Sequence, residues 1–156
     1  MEWSLMHRRA FRFLDHWWVL SPIVAIYVVL WALPASVWFN SRSVTISDAP
    51  LGAAPLVLED RQIRFSFYGH YLTTTRNART HDATPCKAES DFPYRGGLDG
   101  QRTMSLTEWS DGEIACAMLP PDSYYTQTCR TVLYPLWGIL PAKTTCNTSN
   151  IFKVTQ

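Results

Sequence analysis

Apolar and polar positions divide the chain into one unbroken apolar run and a longer, alternating remainder. From His16 to Phe39 the sequence HWWVLSPIVAIYVVLWALPASVWF contains no Asp, Glu, Lys or Arg. About 20 apolar residues, rising about 1.5 Å each, cross a hydrocarbon core of about 30 Å. The run therefore predicts a transmembrane helix over residues 17–39, preceded by a tail of residues 1–16. Trp17 and Trp18 mark one edge of it, and Trp38 and Phe39 the other. Aromatic rings favour the headgroup level, so these four are the expected membrane-interface residues. Two alternatives stay open. A cleaved signal peptide would have a shorter apolar core and small residues at the cut, and a core helix would be buried in a folded domain.

The next stretch, residues 40–55, is rich in Ser, Ala and Pro and reads as a linker. Residues 56–156 read as the folded domain. In DRQIRFSFYGHYLTTT, Ile63, Phe65, Phe67 and Tyr71 alternate with Gln62, Arg64, Ser66 and His70. A period of two is the signature of a strand with one buried face. Residues 76–101 are polar and rich in turn formers, which predicts mostly loop. Further strands are expected near TMSLTEW, EIACAML, SYYTQTCRTVLY and TCNTSNIFKVTQ. Short strands separated by Gly, Pro and Asp predict a mainly β fold, a small sandwich or barrel.

Charge sets orientation and narrows the partners. Arg8, Arg9 and Arg12 precede the apolar run, and Arg42 alone follows it closely. Positive charge stays on the cytoplasmic side, so the amino terminus is expected in the cytoplasm. The carboxy-terminal domain is then periplasmic or extracellular, on a single-pass anchor in the cell (inner) membrane. From Asn40 onward, eleven Lys and Arg balance eleven Asp and Glu. A near-neutral domain offers no basic face for nucleic acid.

Cys86, Cys116, Cys129 and Cys146 all fall in the expected outer domain. An even count in an exported domain predicts disulfides. Cys129 and Cys146 flank the VLYPLWGILPAK connection, so they are expected to face each other across a hairpin. That leaves Cys86 with Cys116. Zinc would require short paired spacings such as Cys-x-x-Cys, which are missing.

In AMLPPDSYYTQTC, Asp122, Tyr125 and Cys129 resemble the entry to the penultimate strand of immunoglobulin-like domains. The resemblance implies an Ig-like β-sandwich over roughly residues 55–156. It implies no particular function, since that fold hosts many.

Motifs for chemistry are sparse. There is no Gly-x-Ser-x-Gly elbow, no His-Glu-x-x-His pair and no phosphate loop. His70 and His81, the latter beside Asp82, are the only candidates for a small periplasmic hydrolase. No cofactor is expected. The run VLYPLWGILPAK instead packs Tyr134, Leu136, Trp137, Ile139 and Leu140 around Pro135, Gly138 and Pro141. Three readings fit: a strand feeding the core, an exposed tip that binds a protein, or a tip that dips into the bilayer surface. The function expected from these features is a membrane-anchored extracytoplasmic binding or assembly module, an accessory subunit of an envelope complex. A hydrolase and a passive spacer are the competing classes.

Overall fold

The computed structural model describes the backbone of residues 3–156 and the side chains of residues 17, 18 and 20–156. The chain forms two compact units, residues 1–33 and 34–156.

The first unit is the helix α1, Trp3–Ala32, with Pro22 inside it. It stops two residues before Pro34, because the ring of a proline disfavours helical backbone in the residue ahead of it. From Trp17 to Trp31 its large described side chains, Leu20, Ile23, Val24, Ile26, Val28 and Val29 among them, are exposed apart from the half-buried Leu30. Among the described residues, no helix is long and apolar enough to cross a membrane. The helix ends at Ala32, so the expected span of residues 17–39 is corrected at its carboxy-terminal bound. The expected tail of residues 1–16 lies, for its side chains, outside the described residues.

The second unit begins where the helix was expected to continue. Ala35–Val37 forms a 3-10 turn, and β1 (Phe39–Ile46) starts at once. Trp38 and Phe39 are therefore no membrane edge: both are buried in the folded domain, Phe39 completely. The expected linker of residues 40–55 is also corrected. It holds most of β1 and the short β2 (Ala49–Pro50).

The remaining strands are β3 (Leu56–Ile63), β4 (Phe67–Asn77), β5 (Ala83–Tyr94), β6 (Leu98–Ser105), β7 (Asp122–Leu133), β8 (Lys143–Thr148) and β9 (Phe152–Thr155). One sheet has the order β1-β3-β6, the other β2-β9-β7-β4-β5, with β8 also on β7. All described pairs are antiparallel except β2 with β9. The free side of β7 is shared. Asp122–Tyr124 pairs with β9, and Gln127–Val132 with β8. Ser149 closes the gap between them: its N–H donates to the Thr126 carbonyl at 2.9 Å, and its hydroxyl accepts from the Thr126 N–H at 2.9 Å. Asn150 then clips one sheet to the other. Its side chain accepts from the Ile46 N–H at 2.6 Å and donates to the Ile46 carbonyl at 2.9 Å.

The expected single strand across DRQIRFSFYGHYLTTT is two strands in different sheets. Ile63 ends β3, and Phe67 opens β4. Phe65 lies in the crossing and is exposed. The expected loop of residues 76–101 contains β5 and the start of β6. Both lie at sheet edges and are largely exposed, so they lack the apolar alternation that marks a half-buried strand. TMSLTEW ends its strand at Ser105 and turns into the short helix α2 (Leu106–Trp109). Ser105 caps that helix through the Glu108 N–H at 3.1 Å, and Glu108 reaches back to the Ser105 N–H at 2.9 Å. This reciprocal box is a helix start. EIACAML is not a strand either; it holds the 3-10 turn Ile114–Cys116.

Both expected disulfides are present. Cys86–Cys116 ties β5 to that 3-10 turn. Cys129–Cys146 joins paired positions on β7 and β8. Ile46, Val57, Leu106, Trp109, Leu119, Phe152 and Val154 pack around the first bridge as one apolar cluster. Tyr125, the residue expected to match the corner of immunoglobulin-like domains, is half-buried, its hydroxyl 3.2 Å from His81 Nδ1. Tyr124 is buried, and its hydroxyl donates to the Pro120 carbonyl at 2.8 Å.

Candidate functional site

Two places in the second unit combine unusual chemistry with defined geometry. The first is the connection from β7 to β8, anticipated from the sequence. The hairpin beneath it is braced by the Cys129–Cys146 bridge and by the hydroxyls of Thr131 and Thr144, 2.8 Å apart. Above that base, Tyr134, Leu136 and Trp137 all have φ between 50° and 57°. Left-handed backbone costs a residue with a Cβ about 1 kcal/mol or more. The turn holds this conformation with three backbone bonds: Gly138 N–H to Tyr134 O at 3.1 Å, Ile139 N–H to Leu136 O at 3.2 Å, and Leu140 N–H to Pro135 O at 3.3 Å. The result is display. Trp137 is 93% exposed and Tyr134 70%, with Ile139 and Leu136 beside them. Leu140 departs from the expected surface set: it is 3% exposed and turns inward.

The second place is a cleft of about 170 Å³, missed by the sequence reading. Glu59 and Arg61 of β3 line it from one sheet, and Tyr71, Tyr94 and Arg130 from the other. Glu59 is wholly buried, and Arg130 is 5% exposed. Arg130 Nη2 meets Glu59 Oε1 at 2.9 Å, and Arg61 Nη1 lies 3.6 Å from Glu59 Oε2. The Ser41 hydroxyl donates to Glu59 Oε1 at 3.2 Å. The Arg130 guanidinium lies 4.5 Å from the Phe39 ring centre and 5.0 Å from that of Trp109. Two cations thus share one buried carboxylate. Arg130 Nη1 is buried without a hydrogen-bond partner, as is Glu59 Oε2. Burial lowers the Arg61 pKa, opposed by Glu59, and raises that of the Tyr94 phenol, opposed by Arg130. Such a group in a protein core is expensive and marks a candidate site. No spacing in the sequence could have exposed it, because its residues come from five strands and α2.

The histidines do not form one centre. His70 Nδ1 lies 2.8 Å from Asp91 Oδ1, and Nε2 lies 3.3 Å from Glu89 Oε1, on β4 and β5. His81 is in the turn beyond β4, its Nδ1 3.2 Å from the Tyr125 hydroxyl. Among the described residues, no group of three or more His, Cys, Asp or Glu could hold a metal ion.

No family model, curated protein or solved structure matches this chain.

Proposed function

We propose that the chain is a membrane-anchored binding module, an accessory subunit of an envelope complex, that recognises a protein partner through the tip formed by Tyr134, Leu136, Trp137 and Ile139. One observation carries this reading: Trp137 stands 93% exposed on a hydrogen-bonded backbone that is strained at three non-glycine positions. Backbone strain concentrates at functional sites. Trp and Tyr are the usual anchors of protein interfaces, and a tip already fixed in shape loses little entropy on docking. A fluid lipid surface has no fixed shape to match, so rigidity favours a protein.

The anchor in this proposal is α1. Exposed apolar side chains on every described turn from Leu20 to Trp31 support it, since a helix apolar all round is normally covered by protein or lipid. The membrane is the inner membrane, with the amino terminus in the cytoplasm. Two disulfides support an oxidising compartment for residues 34–156. The Ig-like reading rests on the Tyr124 corner.

A photo-reactive residue replacing Trp137 tests the function in native membranes. A protein adduct at position 137, absent when the probe replaces the exposed Gln101, is the expected result. Adducts to lipid alone would transfer the tip to the bilayer surface and end the protein reading. Trp137→Ala should abolish co-purification of that partner. It should also leave stability within about 0.5 kcal/mol of wild type, as for other exposed positions. Protease added outside spheroplasts should digest residues 34–156; full protection would reverse the proposed orientation.

A further inference from the structure

We propose that the cleft between the two sheets binds a small molecule or chain end through a carboxylate, with an apolar body beside it. This goes beyond the tip and uses none of its residues.

The inner end of the cleft has a local excess of positive charge. Arg61 and Arg130 face the single carboxylate of Glu59, and Arg130 Nη1 has no acceptor. Guanidinium groups match carboxylates in shape and charge, and bonds between ions are the strong ones. The phenol of Tyr94 adds a further hydrogen-bonding group on the same wall.

The other ionic lining residues are Arg102, Glu108 and Asp111. Glu108 is committed to the Ser105 cap, through the N–H at 2.9 Å and the hydroxyl at 3.1 Å. Arg102, exposed and also in the field of Glu108, steers an anion at the entrance, and Asp111 receives a donor on the ligand. Apart from Thr73, the remaining wall is apolar or aromatic: Tyr71, Met104, Trp109 and Phe92, the last 53% exposed.

A water takes about 30 Å³ of liquid volume, and a cavity of about 150 Å³ accepts a benzene ring. The cleft measures about 170 Å³, enough for a carboxylate and a compact hydrocarbon body.

The test uses the full chain in detergent micelles. Titration calorimetry measures 3-phenylpropanoate against its uncharged isostere 3-phenylpropanol. Acetyl-Gly-Gly-Phe with a free or an amidated carboxy terminus separates a free small acid from a chain end. The Trp109 indole N–H, which donates to the Thr128 hydroxyl at 3.2 Å, reports the location by NMR. At least one carboxylate should bind saturably and shift that resonance. The matching alcohol or amide should bind at least about tenfold more weakly, as the loss of a charged hydrogen bond requires. Arg102→Gln, at an exposed position, should weaken the carboxylate severalfold without unfolding the domain, and Arg61→Gln should do so more strongly. Equal binding of the uncharged probes, no saturable shift at Trp109, or unchanged affinity in both variants would overturn the proposal.

Discussion

Replacing Arg130 by Met tests the central electrostatic claim about the domain. At 2.9 Å from Glu59, and with an effective dielectric of about 20, the pair has a gross attraction of about 6 kcal/mol. Desolvation offsets much of that, so the informative quantity is the penalty for leaving one charge behind. Breaking a buried pair from one side costs about 3–5 kcal/mol. Arg61, 3.6 Å from the other carboxylate oxygen, still screens Glu59 and holds the loss near the lower end. The variant also loses contact of the cation with the Phe39 and Trp109 rings, worth about 1 kcal/mol each. A methionine thioether recovers part of that through its own contacts with the rings. The expected loss is about 3–4 kcal/mol in urea unfolding at pH 7, followed by tryptophan fluorescence with both disulfides intact. Pairing the change with Glu59→Leu removes both charges. The double variant should then lie within about 1 kcal/mol of wild type, a coupling well above ordinary additivity error. Losses that simply add, or a single-variant loss below about 1 kcal/mol, would refute the claim that this pair is a mutually dependent buried unit.

Three further outcomes can be checked on the same footing. Asp122 is held below the usual carboxylate range, first by the Ser123 backbone N–H, then by the Asn77 amide, with Arg79 helping. A depressed folded pKa gives stability that is complete above the unfolded value, about 3.9, and disappears as pH falls through the folded one. Urea midpoints of wild type and Asp122→Asn should therefore differ at pH 6 and converge near about pH 2; a gap independent of pH would contradict this. In Gly96→Ala the new Cβ would sit 2.7 Å from the Ser66 nitrogen and 2.8 Å from the Phe65 carbonyl carbon. Backbone cannot swing away as a side chain can, so a loss of about 1–3 kcal/mol is expected in thermal unfolding, and no loss would place Gly96 differently. The double change Cys129→Ser and Cys146→Ser opens a loop of 17 residues. It should lower stability by about 3 kcal/mol on the chain-entropy account, and an unchanged urea midpoint would remove the bridge from the list of braces.

How far the sequence could be read depended on which residues fill the buried faces. Along β7 the inward positions are Tyr124, Thr126, Thr128, Arg130 and Val132. Three of the five are polar. The two threonines are accommodated by facing hydroxyls, Thr73 with Thr128 and Thr75 with Thr126, each 3.0 Å apart, and Arg130 by Glu59 at 2.9 Å. The strand was visible from its β-branched and aromatic content, but its buried face was not. Phe39 misled in the opposite way. As the end of an apolar run it read as a membrane edge, while its ring packs edge-on against Phe67 and Tyr94 inside the second unit.

Local spacing and composition alone carried the mainly β character of the second unit and favoured the observed pairing of the four cysteines, and they singled out the Trp137 run while leaving core, partner-binding and bilayer readings open for it. Each follows from neighbours along the chain: a period of two, or a greasy turn between bridged strands. Only the tertiary structure decided where the apolar helix stops, that residues 40–55 belong to the sheets, and that Glu59, Arg61 and Arg130 meet in one cleft. Those outcomes depend on contacts between residues far apart in sequence, where burial and charge are properties of the assembled sheets and of no single segment.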